Sequence, residues 1–209
     1  MTNMKEGAVQ MTRVEKPMTR LPRLAAWLLL YAAFLAFLSG WTRADAQAAE
    51  DAETLEQRVK AAYLYKFAGY VEWPAKSFAR PETPVVIGVM GDEPLATELT
   101  QAVTGRTVND RLVTVKRLKA GDSLAGIHVL FVGKAESTRL NQLAQSAQPR
   151  SILTVTESDG ALAHGSVINF VLTDGRVRFE IALDSAEKSG LKLSSRLLAV
   201  AQQVRTGMP

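Results

Sequence analysis

Asp174-Gly175 sits between two runs rich in β-branched and aromatic residues, Val-Ile-Asn-Phe-Val-Leu-Thr before it and Arg-Val-Arg-Phe-Glu-Ile-Ala-Leu after it. A two-residue Asp-Gly joint between such runs specifies a type I′ hairpin, because both central residues must take positive φ. The turn fixes the register. Leu172 then faces Val177, Phe170 faces Phe179 and Ile168 faces Ile181, all on one side, because strand side chains alternate with period two. These six form an expected core wall. The other side carries Val171 opposite Arg178 and Asn169 opposite Glu180, a small polar constellation.

The residues after the hairpin supply its cover. Asp184-Ser-Ala-Glu187 has the form of a helix N-cap with a carboxylate three residues on. Gly190 ends that short helix. Ser194 or Ser195 caps a second one, with Leu193, Leu197, Val200, Ala201 and Val204 at helical spacing.

Upstream, Thr54 and Gln57 form a capping box. Leu55, Val59, Ala62, Tyr63, Phe67, Tyr70 and Val71 mark one face of a long helix. Trp73-Pro74 ends it, since the residue before proline is pushed out of helical geometry. After a loop with two prolines the pattern alternates. Strands are expected at 85–89, 112–115, 127–132 and 152–155, and helices at 94–103 and 136–147. Residues 157–166 form a loop before the hairpin. Helices alternating with short apolar strands argue an α/β fold. The expected architecture is one domain with a mixed, mostly parallel sheet and flanking helices. A long N-terminal helix opens it, and a C-terminal β-hairpin plus helix closes it.

Residues 1–46 read differently. From Met18, Met-Thr-Arg-Leu-Pro-Arg precedes an apolar run from Leu24 to Leu38 and an Ala44-x-Ala46 cleavage site. That is a signal peptide, with the start at Met18 (or Met11) and cleavage after Ala46. The run of about 15 residues is short for a membrane span, which takes about 20, so a retained membrane anchor is the less favoured reading. Residues 47–53 are a linker and 54–209 the α/β domain. Removing six basic residues (Lys5, Arg13, Lys16, Arg20, Arg23, Arg43) and three acidic ones (Glu6, Glu15, Asp45) from 25 and 21 leaves 19 and 18. The exported chain is nearly neutral, which argues against nucleic acid or an anionic membrane as partner.

The chain has no cysteine. Disulfides, thiolate zinc sites and cysteine nucleophiles are therefore excluded. His128 lies in an apolar strand, where a satisfied structural histidine is expected; His164 lies in a Gly-flanked loop. The histidines have no metal-ligand spacing. Ser185-Ala-Glu-Lys188 matches a bare Ser-x-x-Lys pattern, but the companion elements of penicillin-binding enzymes are missing. Gly88-Val-Met-Gly91-Asp-Glu lacks both the third glycine of a dinucleotide fingerprint and the lysine of a P-loop. No catalytic residue, metal or cofactor is assigned. The candidates for partner or ligand binding are Tyr70 and Trp73, since aromatics with a polar tip suit interfaces, and Asn169, Arg178 and Glu180, which form either a buried hydrogen-bonded network that fixes the register, the favoured reading, or a ligand or partner surface.

Two stretches carry a resemblance. Ile-Asn-Phe, Val-Arg-Phe-Glu-Ile and Ser-Gly-Leu-Lys-Leu-Ser-Ser-Arg-Leu-Leu at the C-terminal end, with Lys60-Ala-Ala-Tyr-Leu-Tyr-Lys-Phe-Ala-Gly-Tyr-Val-Glu-Trp-Pro74, resemble the signatures of the YfiR-like family. The likeness spans roughly Leu55 to Val204. It implies a periplasmic, non-enzymatic binding protein that inhibits an inner-membrane diguanylate cyclase through its periplasmic region and lowers cyclic di-GMP. It implies further that an outer-membrane lipoprotein sequesters this repressor. Another sensor protein as partner and a homodimer stay open. A periplasmic small-ligand sensor is the alternative, and a serine hydrolase using Ser185 and Lys188 is the least favoured one. Relatives commonly carry a cysteine near Ile127-His128-Val129, so no redox role transfers to this chain. Relatives also tend to have a second glycine near Gly165, and asparagine where Ala182 stands.

Overall fold

The computed structural model describes residues 50–207; the leader and signal peptide expected over residues 1–46 lie outside them. Helix α1 runs over 50–69. Then follow β1 (Val71–Glu72), β2 (Val85–Met90), α2 (Glu93–Val103), β3 (Thr107–Val108), β4 (Arg111–Leu118) and β5 (Val129–Val132). The chain continues through α3 (Leu140–Ala147), β6 (Leu153–Thr156), β7 (Ile168–Thr173), β8 (Arg176–Ala182), α4 (Leu183–Lys188), β9 (Lys192–Leu193), α5 (Ser195–Val200) and β10 (Gln203–Arg205). Eight strands form one sheet in the order β10-β8-β7-β6-β5-β2-β4-β3. Its centre is parallel; the β7–β8 and β3–β4 pairs are antiparallel. The fold is mixed α/β with a mostly parallel sheet, as expected.

The hairpin has the expected register: Ile168 pairs with Ile181, Phe170 with Phe179 and Leu172 with Val177, while Asn169 pairs with Glu180 and Val171 with Arg178. Asp174 and Gly175 take φ of 51° and 68°, as a type I′ turn demands. A Cβ at Gly175 would meet open space. Gly175→Ala should therefore cost only backbone strain, about 1 kcal/mol, read as a lower urea midpoint at unchanged slope.

The core wall is shorter than expected. Ile168, Phe170, Phe179 and Ile181 are buried, but Leu172 is 62% exposed. The reason is topological. β6 pairs with β7 only through Ile168 and Asn169, and β10 pairs with β8 only from Glu180 to Ala182. The tip of the hairpin projects past both neighbours.

Both sheet faces are covered. β2 and β5 send Val85, Ile87, Val89, Val129 and Phe131 to a core shared with α1 and α2. Met90, Leu130 and Val132 point the other way and pack with Leu140 and Ala147 of α3. From β2 the chain moves through α2 to β4, then returns to β5 on the opposite side of β2. The sheet reverses its winding between β2 and β5, where a doubly wound sheet places its crevice. Here the crevice is pinched. The Gly133 N–H donates to Met90 O at 2.8 Å, and a Cβ on Gly133 would stand 2.7 Å from Gly91 O. Only glycine fits.

Several expectations are corrected. Helix α1 begins upstream of Thr54, so no capping box forms there; Gln57 is instead a buried residue of the helix. Its buried line is Gln57, Lys60, Ala61, Leu64, Phe67 and Ala68, whereas Leu55 is 63% exposed and Ala62 lies outside. The helix ends at residue 69, before Trp73-Pro74, because Val71 and Glu72 pair with Leu193 and Lys192. Ala182, not Asp184, caps α4; Asp184 sits in the first turn and pairs with Lys188. Gly190 ends α4 at a φ of 67°. Ser194 caps α5 through Leu197 N, as expected, but the helix stops at Val200. Ala201 turns extended, Gln202 N donates to Phe179 O, and Val204 joins β10 beside Ile181. Covering the free edge of β8 outweighs four more residues of helix. The helix expected over 136–147 is a 3-10 segment, Lys134–Arg139, followed by α3.

Candidate functional site

The shortened wall leaves a cleft of about 480 Å³ at the carboxyl ends of β5 and β6, beside the projecting hairpin. Phe170, Leu172 and Val177 line its apolar side; Lys134, Ser158 and Asp159 are among the residues on its polar side. It is built because β6 leaves the sheet at Thr156 while β7 continues to Thr173.

A buried ion network closes one end of this cleft. Lys60, 5% exposed, reaches from α1 to Glu157 Oε2 and to Glu56 Oε1, each at 2.5 Å. Glu157 also accepts from Lys134 N at 3.2 Å. Burial alone would lower the Lys60 pKa, but the hydrogen bonds and charges of Glu157 and Glu56 outweigh it, and the ammonium is held above its ordinary value. Asp92 lies close by. It caps α2 through Leu95 N at 2.9 Å. Burial raises its pKa, the Glu157 charge adds to that, and the Leu95 bond, Lys60 and Gln57 only partly offset them. The turn after β2 is therefore a helix cap joined to a buried charge cluster. Lys60 and Glu157 were not singled out in the sequence. The available signal was Lys60 falling on the line Gln57, Lys60, Leu64, Phe67, four residues after Glu56.

The five candidate residues do not meet in one place. Asn169, 5% exposed, accepts from Thr156 Oγ1 at 2.7 Å. Thr156 Oγ1 also lies 3.0 Å from Ser166 Oγ, which donates to Ile168 O at 2.8 Å. This hydroxyl network locks β6 to β7. Glu180 pairs with Arg205 of β10 at 3.5 Å, not with Arg178. Arg178 is exposed and lines a second cleft of about 490 Å³ with Arg176, Asp174 and Val200.

Tyr70 and Trp73 are half-buried at the opposite end of the sheet. The Tyr70 carbonyl accepts from Ser194 N at 2.9 Å. Trp73 meets Phe78 and His128 edge-on, both at 6.2 Å between centroids. Its Nε1 is buried and finds no acceptor among the described residues. With Phe78 and Arg111, Trp73 lines a third cleft of about 630 Å³.

His128 is the satisfied structural histidine that its setting predicts. Nδ1 accepts from Val86 N at 3.1 Å, and Nε2 donates to Ser77 O at 3.2 Å. His164 is exposed in the loop before β7. Ser185 is buried, and Lys188 turns outward to Asp184, so the Ser-x-x-Lys pattern forms no nucleophile-base pair. Among the described residues no group of three His, Asp or Glu side chains could hold a metal ion, and no helix is long and apolar enough to cross a membrane.

A family sequence model described as YfiR/HmsC-like matches residues 57–202, from the second turn of α1 to the threshold of β10. No curated protein matches the chain.

Proposed function

Because the chain belongs to the YfiR/HmsC-like family, we propose that it is a periplasmic regulatory protein that binds an inner-membrane diguanylate cyclase and holds it inactive. The observation that carries this reading is the extent of the match, which takes in the main sheet from β2 to β8, the separate β1–β9 pair and the helices around them. Inhibition is a population shift. The domain lowers cyclic di-GMP only to the extent that it binds the inactive cyclase conformer more tightly than the active one. An outer-membrane lipoprotein that competes for the same surface would release the cyclase. Two separate patches carry the proposed contact, Tyr70 and Trp73 at one end of the sheet and Arg178 on the hairpin that projects at the other. Asn169 and Glu180 fasten the base of that hairpin to β6 and β10.

The test is cellular cyclic di-GMP in a strain lacking the gene. Deletion should raise it. The full chain should restore the lower level, and a version lacking residues 1–46 should not, since it stays in the cytoplasm. The full chain carrying Arg178→Glu should restore it only partly. An unchanged level on deletion would overturn the repressor reading.

One observation favours a second reading, a small-ligand sensor. The cleft beside Lys134 and Leu172 joins an apolar wall to charged and hydroxyl groups, the mixture that small-molecule sites use. A metabolite co-purifying with the full chain and lost on Leu172→Asp would support it.

A further inference from the structure

Residues 73–84 connect β1 to β2 and form one wall of the 630 Å³ cleft. The far half of this loop is fastened firmly, since Arg111 Nη1 donates to the carbonyls of Arg80, Pro81 and Thr83. The near half, Trp73 to Phe78, is fastened differently. Phe78 stacks on His128 at 4.5 Å and an interplanar angle of 12°, Trp73 meets the same imidazole edge-on, and Ser77 O takes its Nε2 proton. The Ser77 hydroxyl is buried with no partner among the described residues. One imidazole thus joins this connection, with its 3-10 turn Ala75–Ser77, to the middle of the sheet.

We infer that His128 is an acid-sensitive latch, and that protonating its ring releases the Trp73–Phe78 segment from the sheet. The neutral ring spends both nitrogens, one accepting and one donating. An imidazolium has two donors and no acceptor. Its new Nδ1–H would face the Val86 N–H, and the two donors repel. Val86 cannot give way, because β2 is held between β4 and β5. Ser77 and Phe78 can, because they close a single 3-10 turn, Ala75–Ser77, that pairs with no strand. The charged group that faces the ring is Arg111 of β4, over Phe78 at 4.0 Å from its centroid; it opposes a second cation. β2 and β6 contribute Val86 and Leu153, neither titratable, and Lys76 of the loop is exposed. Burial, the largest influence, and Arg111 lower the His128 pKa below 6.5, against the Ser77 bond that raises it. A lowered histidine contributes stability that is present above 6.5 and lost as pH falls through the folded value.

Trp73 reports on the latch directly. In the full chain with Trp27→Phe and Trp41→Phe it is the one remaining tryptophan. On acidification from neutral pH, its emission should shift to the red and its quenching by acrylamide should rise, while far-UV circular dichroism stays constant. His128→Asn keeps an acceptor for Val86 N and cannot be protonated, so its signal should stay flat. His164→Asn should keep the transition. A flat signal in the parent protein down to pH 5, or a transition that survives His128→Asn, would overturn the latch. If His128→Asn fails to fold, NMR titration of the single imidazole in the His164→Asn protein decides. The latch requires that ionisation and the Trp73 change share one midpoint, and separate midpoints refute it.

Discussion

Lys60→Ala should destabilise the domain by about 3–5 kcal/mol at neutral pH, the range expected when one partner of a buried ion pair is removed. Truncation leaves Glu157 and Glu56 facing each other without their cation, and the Glu157 side chain is only 10% exposed. Most of the loss is the cost of that stranded charge rather than the worth of the pair. The double variant Lys60→Met/Glu157→Gln separates the two. Glutamine keeps an acceptor for Lys134 N and removes the charge, so the double variant should be more stable than Lys60→Met alone. Urea unfolding of the parent, Lys60→Met, Glu157→Gln and the double variant closes the cycle; simple additivity would show that the pair is not coupled. The pH dependence has a definite sign. The folded pKa of Lys60 lies above 10.5, so its contribution is present below that value and lost as pH rises through the folded one. The parent protein should lose stability on that alkaline limb, and the double variant should not.

That network also shows where sequence reading runs out. The hairpin was legible to the residue, because a two-residue turn leaves no freedom in register and one face is strongly apolar. The strand order around β2 and β5 was not, since nothing local encodes which neighbour a parallel strand takes. On α1 the apolar residues spread over more than one stripe. Leu55 and Ala62 are apolar yet face outward, while the inward positions Gln57 and Lys60 are polar. Periodicity puts Lys60 on the inward line but does not account for burying its charge, because the partner that does, Glu157, is 97 residues away. At the C-terminal end Val200 and Val204 suit a helix or a strand equally. The choice falls to the open edge of β8, a tertiary fact.

The candidate site divides in the same way. Asn169 and Glu180 do sit opposite each other on the polar face, as the register requires. Each then turns to its own outer neighbour, Asn169 to Thr156 on β6 and Glu180 to Arg205 on β10. Both neighbours flank the hairpin and neither is adjacent to it in sequence. Arg178 is left exposed on the projecting tip, and the separation of a fastened base from a free end follows from how far β6 and β10 extend.

Phe67→Ala tests how that hairpin is held to the rest of the protein. Phe67 is 1% exposed and brings α1 onto the hairpin's apolar face. Its ring meets Phe179 edge-on at 4.9 Å and stacks on Phe170 at 5.8 Å and on Tyr63 at 5.7 Å. Tyr63 in turn meets Phe179 edge-on at 5.4 Å, so four rings from three elements close on one another. Removing Phe67 deletes its transfer energy and leaves a cavity that neither a helix nor a paired strand can collapse into, for a loss of about 3–5 kcal/mol. Phe67→Leu refills most of the volume and should cost roughly half as much, the remainder being lost ring-ring geometry. Guanidinium unfolding should show both as midpoint shifts at constant slope. A lower slope for Phe67→Ala would mean that α1 detaches before the sheet melts. A loss under about 1 kcal/mol would mean that α1 is not seated on the hairpin, since a fully buried ring cannot be removed so cheaply.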